Sequence, residues 1–340
     1  MIIPEGADLI TPEPVEGPEV VSTGKLPGWE RVESLTKEVY ERYRDLEGGE
    51  VADYIPALAE ADPAAFGLSL SAAHGATYDV GDWERKFSMQ SISKAFVYAL
   101  VSEAIGHEEI KERVGVNNSG LPFNSVMALE LNGGHPMNPM VNAGAIVTAG
   151  LMPGATAAEQ WELIRTGISA FAGRELRMDG RVYASEMATN SRNKALARLL
   201  ESYGRLGADP LEAVDIYTRQ CSLLVDTHDL AVMGATLADG GVNPITGEQV
   251  VSADVCRDTL AVLAACGMYE LSGEWLFEVG IPAKSGVSGG IVAVAPGKGA
   301  IGTYSPPVNL AGNSVRGQQA IAYLSAALGL NVFVSSAEAS

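Results

Sequence analysis

Apolar residues first recur at helical spacing between Trp29 and about Leu46, where Val32, Leu35, Val39 and Tyr43 share one face and predict an amphipathic helix. From Gly67 the pattern changes. The run FGLSLSAAHGATYDVGD alternates and is broken by Gly and Asp, which predicts two strands and a turn. An almost wholly apolar stretch, SISKAFVYALVSEAIG, predicts a long helix from near Ser91 to about Ile105. Turn chemistry in NNSGLPFNS and NGGHPMNP predicts loops between Gly115 and Pro139. Helical patterns then dominate from Asn142 to Tyr269, including ASEMATNSRNKALARLLESYG and RDTLAVLAACGMYE. After Ile281 the strand pattern returns in GGIVAVAPGKGAIGTYSP, with a hairpin signal at Pro-Gly-Lys-Gly. A helix from Val315 to Leu328 and a last strand from Leu330 to Val334 close the chain, and no internal repeat is present.

Strands near both ends and helices between them predict an α/β (α+β) architecture. An antiparallel-sheet lobe formed by both termini (about 28–90 and 275–340) would carry an inserted helical lobe (about 91–274). Met1 to Pro27, rich in Pro, Glu and Gly and containing TPEPVEGPE, reads as a flexible acidic tail. That leaves 28–340 as one folded unit, long enough to bury a site.

Charge narrows the partners. Against 42 acidic residues stand 23 basic ones, a net charge of −19. Such a surface repels nucleic acid and anionic lipid, so neither is expected as a partner. It also favours solubility at high salt, which makes salt tolerance an expectation. Cys221, Cys256 and Cys266 are odd in number and widely spaced, and they read as buried reduced thiols. His74, His107, His135 and His228 are scattered with no HExxH or clustered ligand spacing, so neither a catalytic metal nor a cofactor is expected. With no signal pattern and no apolar run of membrane-spanning length, a cytoplasmic location is expected.

The candidate chemistry lies in Gln90-Ser91-Ile92-Ser93-Lys94. Residues three apart share a helix face, so Ser91 would present its hydroxyl beside the Lys94 amine. Burial disfavours the charged amine, and a neutral Lys94 could take the Ser91 proton. The helix N-terminus would favour a developing oxyanion. The spacing alone is weak, because Ser22/Lys25, Ser34/Lys37 and Ser191/Lys194 repeat it. Only Lys94 lies in an apolar helix, where a lone lysine is paired, snorkelled or functional. Further along, Lys284-Ser285-Gly286-Val287-Ser288-Gly289-Gly290 opens the late strand region. It reads either as a glycine-rich turn or as the Lys-Ser/Thr-Gly strand that borders the site of Ser-x-x-Lys enzymes, where backbone N–H groups supply an oxyanion donor.

The segments GGEVADYIPALA, FSMQSISKAF, SGLPFNS, NPMVNAGAI, EMATNSRNKALA, YTRQCSL, CGMYE, AKSGVSGGI and NSVRG occur in one order between about Gly48 and Val334. In these the chain resembles the serine-dependent glutaminases, which share the serine β-lactamase and penicillin-binding fold. The resemblance implies hydrolysis of L-glutamine to L-glutamate and ammonia, with Ser91 as nucleophile and Lys94 as its base. It places Tyr54 and Tyr269 at the reacting end, their roles undivided. Asn142, Glu186, Asn193 and Tyr217 would hold the substrate, and Val287 would give a backbone oxyanion contact beside the Ser91 amide. A homodimer or homotetramer is implied as well. These types suit a zwitterionic amide: Glu186 for the ammonium, the asparagines for both charged ends, tyrosine hydroxyls to orient the amide or pass a proton. Asn142 and Asn193 read equally as helix caps, and Tyr217 as a core residue. One departure is visible: the family commonly has Glu-Pro where this chain has Asn117-Asn118. The rival readings are a penicillin-recognising serine hydrolase, disfavoured by the missing Ser-Asp-Asn motif and signal, and a catalytically inactive binding module, disfavoured because Ser91, Lys94 and Glu186 are all present.

Overall fold

The alternating and apolar runs from the two ends of the sequence pair with each other. In the computed structural model, which describes residues 24–335, five strands form one antiparallel sheet. Their order is Thr77–Gly81, Gly67–Ala72, Gly299–Tyr304, Gly290–Ala295, Ala283–Gly286. Register brings Leu70 opposite Ile301, and Val292 opposite both Lys284 and Gly302. The Pro-Gly-Lys-Gly hairpin is present: Ala295 pairs with Gly299, and Gly297 turns with φ +72°, the region where glycine carries no steric penalty. Of the expected acidic tail, residues 1–23 lie outside those described, and Leu26 packs against the core.

Both faces of the sheet are covered, which explains the unbroken apolar run in Gly290–Ala295. On one face Leu68, Leu70, Ile291, Ala293 and Ile301 pack with Val32, Leu35 and Val39 of helix Trp29–Tyr43 and with Ile321 and Leu324 of helix Val315–Ala327. On the other face lies helix Thr227–Ala238, inside the segment expected for the helical lobe. The serines of Gly67–Ala72 therefore do not face water: Ser69 Oγ meets Thr227 Oγ1 at 2.7 Å. The approach is close enough that a Cβ at Gly302 would stand 2.3 Å from the Thr227 carbonyl oxygen.

Three expectations differ. Helix Val126–Leu131, capped by the Ser125 hydroxyl, interrupts the loops expected between Gly115 and Pro139. The first helix stops at Tyr43, short of Leu46, because the chain turns there and runs into Gly48 and Gly49, both at positive φ. Leu330 to Val334 is not a strand. Gly329 turns left-handed, Leu330 N–H closes back on Ser325, and Asn331 Oδ1 caps Phe333 N–H, so only Val332 N–H reaches outward, to Gly280. The helical elements between Ser93 and Glu278 surround a second core joined to the sheet through Val292, Val294 and Ala300. A two-residue pairing, Phe87–Ser88 with Leu224–Val225, anchors the approach to Ser91, and Met89 N–H extends it to the Leu223 carbonyl. No helix among the described residues is long and apolar enough to cross a membrane.

Candidate active site

Ser91 does not open an α-helix directly. It sits in a 3-10 turn, Gln90–Ile92, that leads into helix Ser93–Ile105. Gln90 holds φ +48°, a left-handed conformation uncommon outside glycine and often found where function fixes the chain. The surroundings hold it there. Ser93 Oγ donates to the Gln90 carbonyl at 2.8 Å, and Gln90 Nε2 donates to Ser88 Oγ at 3.2 Å. Strand Ala283–Gly286 abuts the turn. A Cβ on Gly286 would stand 2.8 Å from the Met89 carbonyl oxygen and 3.1 Å from Ile92 Cγ1. The glycine of Lys-Ser-Gly is thus what lets the strand reach the Ser91 turn.

Lys94 is 1 % exposed. Its amine donates to the Met140 carbonyl at 3.0 Å and to Asn142 Oδ1 at 2.7 Å, both neutral acceptors. The rings of Phe123 and Tyr217 stand 5.7 Å away. Burial wins over these contacts and lowers its pKa to about 8, with Cys221 and Glu186 pulling the other way. Neutral amine is therefore present near neutral pH, as a base for Ser91 requires.

A pocket of about 720 Å³ opens over this turn. Ser91, Tyr54, Asn142, Glu186, Asn193, Tyr217 and Val287 line it. Lys94 and Tyr269 lie just behind its wall, tied in through Asn142 and Val287. Neither asparagine is a cap. Asn142 begins helix Asn142–Gly150 without a side-chain capping bond, Asn193 lies inside helix Ser191–Ser202, and the two side chains bond each other at 2.9 Å. Tyr217 is buried but turned to the site, its hydroxyl 3.4 Å from Asn142 Oδ1. Glu186 is 6 % exposed; burial pushes its carboxyl up to about 7, against a hydrogen bond from Gln90 and the field of Lys94. Its Oε2 has no hydrogen-bond partner among the described residues. A buried, unmatched carboxylate oxygen is a receptor for a cationic N–H.

The two tyrosines differ. Tyr269 is buried, with φ +56°, and its hydroxyl donates to the Ser285 carbonyl at 3.2 Å. Burial raises its phenol well above the ordinary value, and a hydrogen bond with Ser91 opposes the rise, so Tyr269 stays a proton donor. Tyr54 is 55 % exposed and stands at the pocket mouth. Its phenol nevertheless reaches far enough into the protein to be raised well up by burial, then by Tyr269 and Glu186. Val287 lies in the turn between strands Ala283–Gly286 and Gly290–Ala295 and packs against Tyr269.

Several residues of the site have no role of their own in the sequence reading. Gln90, Asn190 and Glu270 line the pocket, Phe123 packs on Tyr269 with centroids 5.0 Å apart, and Lys284 is fully buried with its amine 4.4 Å from the Tyr269 ring centre. Asn190 was within reach, since it lies one turn past Glu186. The strain at Gln90 carries no sequence signal. Asn117 and Asn118, the departure from the usual Glu-Pro, tether their loop: Asn117 N–H donates to the Met137 carbonyl, and Asn118 Nδ2 to the Ala265 carbonyl at 3.0 Å. Cys221, Cys256 and Cys266 are buried free thiols. No group of His, Cys, Asp or Glu among the described residues could hold a metal ion.

The family model Glutaminase matches residues 49–333. Glutaminase 2 of Yersinia pestis is 50 % identical over 317 residues, 93 % of either chain. Among solved structures, the probable glutaminase ybaS superposes with a TM-score of 0.89 at 43 % identity, covering 90 % of this chain and 99 % of that one. The L-glutamate-binding form of Mglu, in the presence of 4.3 M NaCl, does so at 0.85 and 39 % identity, covering 90 % of this chain and 70 % of that one. The mixed helix and antiparallel-sheet architecture is the β-lactamase-like fold of these proteins, and the chain belongs to the glutaminase family.

Proposed function

We propose that the chain hydrolyses the side-chain amide of L-glutamine through a γ-glutamyl ester on Ser91. Hydrolysis of glutamine is the reaction of the family to which it belongs; the assignment of steps to residues is our own. The observation that carries it is the pairing of a buried lysine, its pKa lowered to about 8 and one turn from Ser91, with a buried carboxyl across the same pocket whose Oε2 has no donor among the described residues.

Glu186 takes the substrate ammonium, while Asn142, Asn193 and Tyr217 hold the carboxylate end. Ser91 Oγ attacks the amide carbon as its proton passes to Lys94. The tetrahedral oxyanion lies between the backbone N–H groups of Ser91 and Val287. Collapse breaks the C–N bond as Lys94 gives the Ser91 proton to the leaving nitrogen, directly or relayed through the Tyr269 phenol, which is reprotonated by Lys94; ammonia departs and Lys94 is neutral again. Tyr54 closes the outer side. Water, deprotonated by Lys94, then attacks the ester and releases glutamate. Ammonia release from glutamine and asparagine by wild type and Ser91→Ala tests the assignment: the variant must fall to background, and undiminished activity would overturn it.

A cytoplasmic homodimer or homotetramer that stays active in molar salt completes the proposal. The net charge of −19 and the 4.3 M NaCl of the Mglu structure support the last point. Loss of activity in molar NaCl would refute it.

A further inference from the structure

Two buried acceptors face each other in sequence across one helical turn, and only one has been given a role. Asn190 follows helix Gly180–Thr189 as its C-terminal cap residue, four positions after Glu186 and so on the same face. It is 5 % exposed and lines the pocket with Glu186 and Asn193. The orientation of its amide is decided by Thr218. The Thr218 hydroxyl donates to the Val214 carbonyl at 2.8 Å, so only its lone pairs are left for Asn190. Asn190 must therefore turn its NH2 group to Thr218 Oγ1, which it does at 3.3 Å, the same nitrogen lying 3.3 Å from Met187 Sδ. That commits Oδ1 to the remaining side. There it has no hydrogen-bond partner among the described residues, the condition shared by Glu186 Oε2.

We propose that Asn190 is a specificity-determining residue whose Oδ1 accepts one N–H of the substrate's α-ammonium while Glu186 Oε2 accepts another. This rests on reading the pocket as a glutamine site. An ammonium brings three donors into a buried place, and a single carboxylate oxygen leaves the others unmet. The second acceptor is an amide for an electrostatic reason. Glu186 is already resisting ionisation, its carboxyl pushed up to about 7 by burial. An aspartate at 190 would put a like charge beside it, and the pair would retain a proton when the site is empty. Asparagine supplies the oxygen without the charge. Thr218, by spending its proton on Val214, holds the amide nitrogen and leaves that oxygen without a partner among the described residues.

The test compares glutamine with glutaramate, the same amide lacking the α-ammonium, in ammonia-release kinetics on wild type, Asn190→Ala and Thr218→Val. For Asn190→Ala, kcat/KM on glutamine should fall roughly 10- to 100-fold, the size of a hydrogen bond to a charged donor. The value on glutaramate should not change. Thr218→Val frees the amide to rotate and should give a smaller loss of the same kind, and it carries the comparison if Asn190→Ala does not fold. Equal losses on both substrates would overturn the proposal and make Asn190 a clamp on the helix end. An unchanged rate on glutamine in both variants would overturn it too. Failure of the wild type to release ammonia from glutamine is a separate result, which would sink the reading of the site itself.

Discussion

Replacing Glu186 with glutamine should make the protein less active and more stable at once. Burial pushes the unliganded carboxyl up to about 7 from the ordinary 4.5, because it opposes the charge more than Gln90 and Lys94 favour it. That gap is worth about 3 kcal/mol at 1.36 kcal/mol per pH unit. The sign follows from linkage. Below the unfolded pKa the group is protonated in both states and exacts nothing. As pH rises through 4.5 to about 7 the unfolded chain ionises first and the native state loses stability, and above 7 the full penalty is present. Glu186→Gln removes the ionisation. Its melting temperature should exceed that of wild type by several degrees at pH 8, and the difference should vanish near pH 4. Saturating L-glutamate should reverse the order at pH 8, because only the wild-type carboxylate pairs with an ammonium. At the same time kcat/KM on glutamine should fall by ~100-fold or more, the loss of a charged hydrogen bond in a desolvated site. Calorimetric scans at the two pH values, with and without glutamate, check all of this. A variant no more stable than wild type at pH 8, or equally stabilised at both pH values, would refute the reasoning.

Lys94 predicts a pH profile: kcat/KM should rise through a limb near pH 8 as the amine loses its proton, with Glu186 adding a limb near 7, and Lys94→Arg should lose at least ~1000-fold in kcat in steady-state assays. Gly286→Ala should drop kcat by ~10-fold or more with little change in substrate binding, since the new methyl group meets the Met89 carbonyl and shifts the Ser91 turn. Asp229→Ala should destabilise by roughly 3 kcal/mol in urea titrations, because Asp229 is buried, pairs with Arg174 and Lys86, and closes the capping box with Asp226.

Much of this fold is written in periodicity. The strand runs and the hairpin are local patterns, and the strands lie on the sheet as their apolar runs require. Leu330 to Val334 misled because its apolar residues looked like a strand, whereas Gly329 and Asn331 spend its backbone groups on local turns. The alternation of Ser69 and Ser71 carries no signal of what covers them, a helix far along the chain, with 158 residues between Ser69 and Thr227. At the site, Ser91, Lys94 and the pocket-lining side chains Asn142, Glu186, Asn193 and Tyr217 could be singled out because they stand in ordered motifs. Gln90 could not, since its left-handed backbone depends on contacts from Ser88 and Ser93 in three dimensions. Lys284 stood in a strand expected beside the site, but its burial against Tyr269 follows from how that strand meets the 3-10 turn and has no local signal.

The γ-glutamyl ester on Ser91 is the point on which the account stands. Wild-type protein mixed with glutamine, quenched in acid within a turnover and digested, should yield the peptide carrying Ser91 with a γ-glutamyl group attached. Hydroxylamine added before the quench should strip it as the hydroxamate, and Ser91→Ala should show neither. A full rate of ammonia release with no adduct on that peptide, or with the adduct on another residue, would contradict it.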